Sequence, residues 1–347
     1  MRRWVAVLLT VGIVSGLAGC TGHREVPPPP STLSPSAEPA RAAGREFGIA
    51  ADPWNVDEWA SVVGAHPTMV MEFEQWSRNR TIDSHLTAAH EHGLSSFMIC
   101  WEPWQSVPAE AGIEAQYADQ PTYSNASIAS GRLDDYIRSF ARSVKAAKLT
   151  VYMRYAHEMN GSWYPWSRDP AMYVQAWRHV VDIFRQEGAA NAKWVFSMHP
   201  SLYDSESRWL KNVERYWPGA DYVDYLGTTL INFGGTKETS VAQYAKRLTL
   251  MHRTFGGEVI VTELNTAAKG RVAWLSDLRT WLDSTPWIRG VVLSQQSSRA
   301  QTQLGKKVGD LSWDVLDDPE TQPVVKGIVE DLTSPAAEPS RQPADQP

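Results

Sequence analysis

The feature that most constrains the fold is an alternation of eight strongly apolar segments with segments of helical periodicity. The apolar segments occupy residues 46–51, 68–76, 95–104, 149–158, 192–200, 222–233, 258–266 and 288–296. Near-continuous apolar runs, without a strict polar alternation, are typical of parallel strands that are buried on both faces. The pattern therefore predicts a parallel sheet with helices around it.

Two of the intervening segments show the helical period most clearly. In the first, Leu133, Ile137, Phe140, Ala141 and Val144 would lie on one face of a helix. A second apolar face runs from residue 173 to residue 184, and a glycine at position 188 is a typical helix end. Eight strand–helix alternations fit a single α/β domain of the (β/α)8 TIM-barrel class, from residue 46 to residue 333, better than a doubly wound sheet.

The N-terminus has the composition of a targeting segment. Arg2 and Arg3 precede an apolar stretch of secretory length at residues 4–14, and the stretch ends in Leu-Ala-Gly-Cys at Cys20. This ending resembles a bacterial lipobox, which predicts a signal peptide over residues 1–19 and lipidation of Cys20. Ordinary signal cleavage and an uncleaved membrane anchor are the alternatives.

Two further segments lack the composition of a packed domain. Residues 20–45 are rich in Pro, Ser and Ala, which predicts an extended spacer, and residues 334–347 predict a disordered tail. Together with the lipobox, the spacer predicts a cell-surface or extracellular protein held at the bacterial membrane by a lipid anchor. We expect it to be a monomer.

Charge and cysteine content narrow the possible partners. The net charge is −6 and the pI is about 5.9, and no cluster of Lys and Arg stands within the body of the chain, so nucleic acid is an unsuitable partner. Cys100 is the only cysteine besides Cys20. We therefore expect no intrachain disulfide in the mature domain, and a buried, inert thiol at Cys100.

A TIM barrel places its active-site groups at the C-terminal ends of the strands. In this chain those ends carry aromatic and acidic residues, which are Trp76, the "WEPW" of residues 101–104, the "HEMNGSWYPW" of residues 157–166, the "HPSLY" of residues 199–203, and Glu263. Sugar rings stack on aromatic side chains, while carboxylates and amides bond their hydroxyls. The pattern therefore predicts a binding site for a sugar polymer.

Glu158 admits a zinc-site interpretation that the local sequence excludes. A metalloprotease helix needs His-Glu-x-x-His, but Gly161 stands at the second histidine position, and Asn160 and Gly161 break a helix. We predict neither a metal nor another cofactor. Glu158 and Glu263 end the fourth and seventh predicted strands, and glycoside hydrolysis uses two carboxylates, about 5–5.5 Å apart for retention or about 6.5–9.5 Å for inversion.

Three stretches resemble glycoside hydrolase family 26: the "WEPW" motif, residues 131–166 and residues 176–200. The resemblance extends from about residue 47 to about residue 314. That family contains endo-β-1,4-mannanases, together with enzymes that cut mixed-linkage β-glucan or xylan. The resemblance implies a retaining endo-β-glycanase that binds a β-linked polysaccharide, with mannan as the first choice of substrate.

The resemblance also implies roles for individual residues. Glu158 would be the acid/base and Glu263 the nucleophile. His157 would contact the nucleophile or the substrate, and Trp163 would form part of the sugar platform. The remaining candidates for substrate binding are Trp166, Trp101, Glu102 and Asn232, and His199 is a further rim residue.

The chain departs from the family pattern after the sixth and eighth strands. Thr229 and Ile231 stand where the family has Asp and Tyr, and Gln295 lies in "LSQQSS", where an aromatic residue is usual. The missing tyrosine hydroxyl predicts one hydrogen bond fewer to Glu263, and therefore a higher pKa for that carboxyl. A nearly inactive carbohydrate-binding lipoprotein and an exopolysaccharide-processing factor are the alternatives to an active enzyme.

Overall fold

A computed structural model describes residues 44–105, 119–201, 204–232, 241–266, 270–294, 302–303, 306–307 and 314–334. The predicted signal peptide, Cys20, nearly all of the spacer, Gln295 and residues 335–347 lie outside the described residues. None of the helices in the described ranges is both long and apolar enough to span a membrane.

Eight parallel strands form a closed barrel. The strands are β1 Glu46–Ala50, β2 Met69–Gln75, β3 Ser96–Glu102, β4 Thr150–Tyr155, β5 Ala192–Met198, β6 Tyr225–Asn232, β7 Val259–Thr266 and β8 Ile288–Ser294. Each strand pairs with the next along the chain, and β8 closes the barrel on β1. The predicted (β/α)8 fold is confirmed, and all eight strands lie within the apolar segments of the sequence.

Helices surround the barrel between successive strands. In the described ranges they span Val56–Val63, Asp83–Glu91, Asn125–Ala129, Asp134–Ala146, Pro170–Glu187, Glu206–Glu214, Val241–Phe255, Arg271–Asp283 and Gln322–Thr333. A short antiparallel pair, β9 Thr302–Gln303 and β10 Lys306–Lys307, stands apart from the barrel sheet.

The helix Pro170–Glu187 shows how the sequence sets the element boundaries. The side chain of Asp169 accepts a hydrogen bond from the backbone N–H of Met172, which caps the first turn. At the other end Gly188 adopts a φ of 75°, a left-handed conformation that glycine adopts without steric cost. The C-terminal end agrees with the glycine predicted to end this helix.

Alternate residues of each strand point into the barrel or out towards the helices. On β3 the side chains of Met98 and Cys100 pack in the barrel interior, whereas Phe97, Ile99 and Trp101 belong to the larger core between sheet and helices. The direction of each strand residue therefore follows from its parity. This rule decides which residues near a strand end face the mouth.

An irregularity in the β6–β7 pairing lies at the mouth of the barrel. Thr228 pairs with Val261, but the next residue, Thr229, pairs with Glu263, so that Thr262 is the extra residue of a β-bulge. Bulges change the direction in which nearby side chains point and are common next to active sites. This bulge brings Thr229 and Glu263 to the same level of the barrel.

Candidate active site

The chain turns sharply where it leaves β4 for the "HEMNG" segment. Ala156 and Glu158 have φ values of 43° and 53°, in the left-handed region that residues with a Cβ seldom adopt. The backbone N–H of Glu158 donates to the carbonyl of Ser197 on β5 at 2.8 Å. Strained conformations of this kind persist where the surrounding structure enforces them, and they are concentrated at functional sites.

The Glu158 carboxylate accepts hydrogen bonds on both oxygens. Thr229 donates from Oγ1 to Oε1 at 2.6 Å, and Trp163 donates from Nε1 to Oε2 at 2.9 Å. The residue is buried at the barrel mouth. The two donors come from β6 and from the turn after β4, so they fix the carboxylate from two sides.

Glu263 accepts a short hydrogen bond from the guanidinium of Arg154. The distance from Arg154 Nη1 to Glu263 Oε1 is 2.6 Å. Burial raises the pKa of Glu263 above its ordinary value, and the nearby Glu158 carboxylate adds to the rise, while the charge and hydrogen bond of Arg154 oppose it. The main cause of the raised pKa is burial. The effect of the missing tyrosine hydroxyl on this pKa remains a prediction. Although Ile231 has no hydroxyl to donate, the guanidinium of Arg154 holds the Glu263 carboxyl group.

Arg154 lies at the centre of this arrangement and is fully buried inside the barrel. Besides Glu263, it donates from Nε to Ser197 Oγ at 3.0 Å, from Nη1 to Cys100 Sγ at 3.1 Å, and from Nη2 to Thr229 Oγ1 at 3.1 Å. One guanidinium thus contacts Glu263 directly and reaches Glu158 through the Thr229 hydroxyl. Burial alone would lower the pKa of Arg154, but the charges of the two carboxylates raise it, so the guanidinium stays charged.

Sequence reasoning missed Arg154, although the sequence contains a signal for it. A charged residue within the apolar run "VYMRY" has no ordinary place in a buried strand unless it is paired. The prediction for Cys100 is confirmed as far as burial is concerned, since the thiol is fully buried and burial raises its pKa to about 12. A thiol with that pKa stays protonated and unreactive near neutral pH.

His157 lies beneath the turn as a neutral imidazole. Burial and the charge of Arg154 lower its pKa well below the ordinary value. Its Nε2 is 3.0 Å from the Tyr164 hydroxyl, and its buried Nδ1 has no hydrogen-bond partner among the described residues. The side chain is therefore near the acid/base candidate without carrying charge.

Glu102 ends β3 and is buried next to His157. Trp104 donates from Nε1 to Glu102 Oε2 at 3.1 Å, and Glu102 Oε1 is 4.0 Å from His157 Nε2. Burial raises the pKa of Glu102 to about 7. Glu102 is thus a third carboxyl group at the mouth, and its raised pKa lies near neutral pH.

Trp163 is half-buried, with its ring edge-on to His199 at 4.7 Å between centroids. It lies at the mouth of the barrel and donates a hydrogen bond to Glu158, and its role as part of a sugar platform remains a prediction. A Cβ at Gly161 would lie 2.6 Å from the Trp163 ring, so any other residue here would displace that ring. Asn232 is buried at the end of β6, and its role in substrate binding remains a prediction.

The structure places Trp166 beneath the surface. Its ring stacks on Tyr164 with centroids 4.2 Å apart, and its Nε1 donates to the carbonyl of His157 at 2.8 Å. It is almost fully buried, so direct contact with sugar, as predicted from the sequence, is wrong for this conformation. Trp166 instead supports the turn that carries His157 and Glu158.

Trp101 also requires a correction. It is fully buried on the outer face of β3, stacks on Phe140 with centroids 4.6 Å apart, and donates from Nε1 to the Tyr136 hydroxyl at 3.1 Å. Because Glu102 points into the barrel, its neighbour Trp101 must point outwards. Trp101 belongs to the core and does not contact substrate.

A group of potential metal ligands comes from the loop after β1, the middle of β2 and the helix Asp83–Glu91. Among the described residues, Asp52, Glu72 and His85 offer ligand atoms that all lie within 4.8 Å of one another. They form a cluster separate from Glu158 and Glu263, whose own neighbours are an arginine, a hydroxyl and an indole.

Comparison with known proteins gives a family match. The model for glycosyl hydrolase family 26 matches residues 79–287, which is more than half of the chain. Endoglucanase H of Acetivibrio thermocellus is 28% identical over 237 residues, covering 64% of this chain. Mannan endo-1,4-beta-mannosidase A and B of Caldalkalibacillus mannanilyticus is 35% identical over 88 residues, covering 22% of it. The matches span 24% and 16% of the lengths of these two relatives.

Solved structures support the fold. A family 26 β-mannanase from Bacteroides ovatus superposes with a TM-score of 0.56 at 20% identity, covering 86% of this chain and 90% of that one. A protein described as GH26C from Muricauda sp. gives a TM-score of 0.58 at 17% identity, covering 86% and 91%. At these identities the likeness concerns the barrel alone.

Proposed function

The chain belongs to glycosyl hydrolase family 26, and we propose that it is a retaining endo-β-glycanase that acts on a β-1,4-linked polysaccharide, with mannan as the first choice. One observation carries the proposal: Glu158 and Glu263, from the ends of different strands, are bound to a single buried guanidinium, one directly and one through Thr229. Two carboxylates held in this way provide the pair that double displacement needs.

The proposed reaction has two steps. Glu263 attacks the anomeric carbon while Glu158 gives its proton to the glycosidic oxygen, so that the glycosidic bond breaks and a glycosyl ester forms on Glu263. Glu158, now a carboxylate, takes a proton from water, which attacks the same carbon and releases Glu263. The configuration at the anomeric carbon is retained after two inversions.

Arg154 supplies the electrostatic condition for the first step. A nucleophilic carboxylate must be ionised, and burial disfavours that form. The guanidinium at 2.6 Å counteracts the burial of Glu263 and directs one of its oxygens into a hydrogen bond. We expect the acid limb of the pH–rate profile to lie above the ordinary glutamate pKa, because the raised pKa of Glu263 is only partly offset.

A β-glucan is the second candidate substrate, and xylan is a third. The glucan is favoured by the length of the match to the protein named Endoglucanase H, which covers 64% of this chain, against 22% for the match to the mannosidase. Thr229 and Ile231, which replace the family's usual Asp and Tyr, are also consistent with a specificity other than mannan.

We further propose the cellular setting that the N-terminal sequence indicates. Residues 1–19 would be removed, Cys20 would be lipidated, and a spacer up to residue 45 would hold a monomeric barrel away from the bacterial membrane, at the cell surface or outside the cell. A polymer too large to enter the cell would be accessible there.

The test is a panel of mannan, glucomannan, mixed-linkage glucan, xylan and cello-oligosaccharides, with products read by chromatography and anomeric configuration by NMR. Internal cleavage of one of these polymers with retention supports the proposal, and inversion contradicts the double displacement. Binding without any turnover, equal in the protein and in Glu263→Ala, would favour the alternative of a carbohydrate-binding lipoprotein.

A further inference from the structure

A cavity of about 630 Å³ opens at the C-terminal ends of β1 and β2. Its lining includes Asp52, Trp59, Glu72, Phe73 and His85. The Phe73 ring also stands edge-on to the imidazole of His157, with centroids 6.0 Å apart. Phe73 therefore links the wall of the cavity to the residue that precedes Glu158.

Trp54 stands beside this cavity with 51% of its surface exposed. It belongs to the short 3-10 helix Pro53–Asn55, in which Pro53 is buried and Asn55 donates its N–H to the Asp52 carbonyl at 3.0 Å. Asp52 and Asn55, which flank Pro53 and Trp54 in the sequence, both line the cavity. The exposed indole is thus held on an anchored turn. A ligand that binds to it would therefore lose little affinity to the ordering of this turn.

The indole packs against a polar pair in the cavity wall. Its ring is T-shaped to His85 with centroids 4.9 Å apart, and His85 Nδ1 is 2.8 Å from Glu72 Oε1. Trp59 also lines the cavity, and its buried Nε1 has no hydrogen-bond partner among the described residues. Ligand oxygens can satisfy donors and acceptors of this kind.

We propose that Trp54 and this cavity form a subsite for a pyranose ring of the same polysaccharide, remote from the bond that is cleaved. An exposed indole offers an apolar face for the C–H groups of the ring, and Asp52, Glu72 and His85 offer partners for its hydroxyls. The proposal rests on the proposed function, because the ligand is a further part of the same substrate.

The charges around the cavity favour a neutral sugar over a metal ion. Arg78 and Arg80 also line it, both bound to the buried Glu74 at 3.1 Å and 2.9 Å. Glu74 offsets one of the two guanidinium charges, and the remaining positive charge disfavours a divalent cation between Asp52, Glu72 and His85. A sugar has no such cost and can accept hydrogen bonds from both.

Trp54→Ala tests the subsite, with Val62→Ala as a matched control, since Val62 is 43% exposed on the adjacent helix Val56–Val63. The probes are manno-oligosaccharides and mixed-linkage gluco-oligosaccharides of three to six units. We compare the two proteins on whichever of the two oligosaccharide series is cleaved. For Trp54→Ala we expect kcat/KM on the hexamer of that series to fall about fivefold to tenfold, and kcat/KM on the trimer to stay nearly unchanged. Trp54→Phe should recover part of the loss, and Val62→Ala should match the unmodified protein at every length.

A loss that is equal at all lengths, or no loss on the hexamer, overturns the subsite while leaving the proposed function intact. If the unmodified protein cleaves none of the probes, the proposed function fails, and calorimetry with the hexamers decides about the subsite: weaker binding by Trp54→Ala supports it, and equal binding overturns it. A chelator should change nothing. A loss of activity that Mn²⁺ restores would assign the cavity to a cation.

Discussion

Arg154 and Glu263 are joined by a 2.6 Å hydrogen bond from the guanidinium Nη1 to the carboxylate Oε1, deep in the mouth of the barrel. The other terminal nitrogen of Arg154 reaches Glu158 through Thr229. The proposed nucleophile and the proposed acid/base therefore share one buried cation. A change at Arg154 should affect both steps of the reaction.

Arg154→Met should move the acid limb of the kcat/KM profile to higher pH. The guanidinium lowers the pKa of Glu263 against the effect of burial, so its removal lets that pKa rise further. We expect a shift of about one pH unit or more, with kcat reduced at least tenfold, measured on an activated aryl glycoside. Arg154→Lys keeps the charge but loses the planar set of donors, and should shift the limb less. An unmoved limb in a folded Arg154→Met protein would show that Arg154 does not control Glu263.

Thr229→Val should lower kcat with little change in KM. Arg154 can only donate, so Thr229 Oγ1 must accept from it and donate its own proton to Glu158. Valine has nearly the same shape but removes this link, so that among the described residues Trp163 alone donates to Glu158, and the carboxyl group is held less firmly near the glycosidic oxygen. A hydrogen bond to a charged group is worth about 1.5–3 kcal/mol, which corresponds to a loss of roughly 10-fold to 100-fold in kcat. Thr229→Ser should restore most of it, whereas an unimpaired Thr229→Val protein with the loss in Thr229→Ser would assign a packing role to the methyl group.

Glu102→Gln should stabilise the fold above neutral pH. The pKa of Glu102 is about 7 in the folded protein, above its ordinary value of 4.5, because it is buried. As the pH rises between these values the unfolded chain loses the proton first, so the wild-type fold loses stability over that interval. Glutamine avoids this loss and can still accept from Trp104. At about pH 8 the variant should therefore have a higher Tm than the wild type, and its free energy of unfolding should be higher by roughly 1–3 kcal/mol. Near pH 4 the two proteins should be equally stable.

The exposed Glu58 provides the control for that comparison. Glu58→Gln also replaces a carboxyl group by an amide, but at an exposed position. It should leave the difference in stability between pH 4 and pH 8 as it is in the wild type. A Glu102→Gln protein with the same pH dependence of stability as the wild type would contradict the raised pKa.

The sequence predicted the fold well because the barrel depends on pattern. Strands buried on both faces, such as residues 192–200 and 288–296, are recognisable from their apolar runs, and capped helices such as Pro170–Glu187 have clear boundaries. The predicted and observed strands differ only by a few residues at their ends. Strand ends depend on local hydrogen bonds that periodicity does not encode.

The site was less predictable because it depends on side-chain direction and long-range contacts. The "WEPW" motif suggested both Trp101 and Glu102 as sugar contacts, yet adjacent strand residues face opposite sides, and the parity rule alone could have removed one of them. The link from Arg154 through Thr229 to Glu158 joins β4 to β6, and the bulge at Thr262 brings Glu263 level with Thr229. No local pattern indicates a bulge of this kind.

Cys20→Ser should release the protein from the membrane fraction. Under the lipobox interpretation the acyl chains attached to Cys20 provide most of the membrane affinity. Fractionation of the expressing bacterium, followed by immunoblotting, measures the change, and Cys100→Ser serves as the control that alters the other cysteine. Retention of Cys20→Ser in the membrane would show instead that residues 4–14 belong to an uncleaved anchor.

The most direct test of the central claim is a burst experiment with Glu158→Ala and 2,4-dinitrophenyl β-mannobioside or β-cellobioside. The leaving group needs no proton, so Glu263 should still attack, but the second step lacks its base. We expect a burst of one dinitrophenolate per protein and a glycosyl adduct that peptide mass spectrometry places on Glu263. The absence of a burst, with a rate reduced as severely as on unactivated substrates, or an adduct on another carboxylate, would contradict the assignment of Glu158 as acid/base and Glu263 as nucleophile.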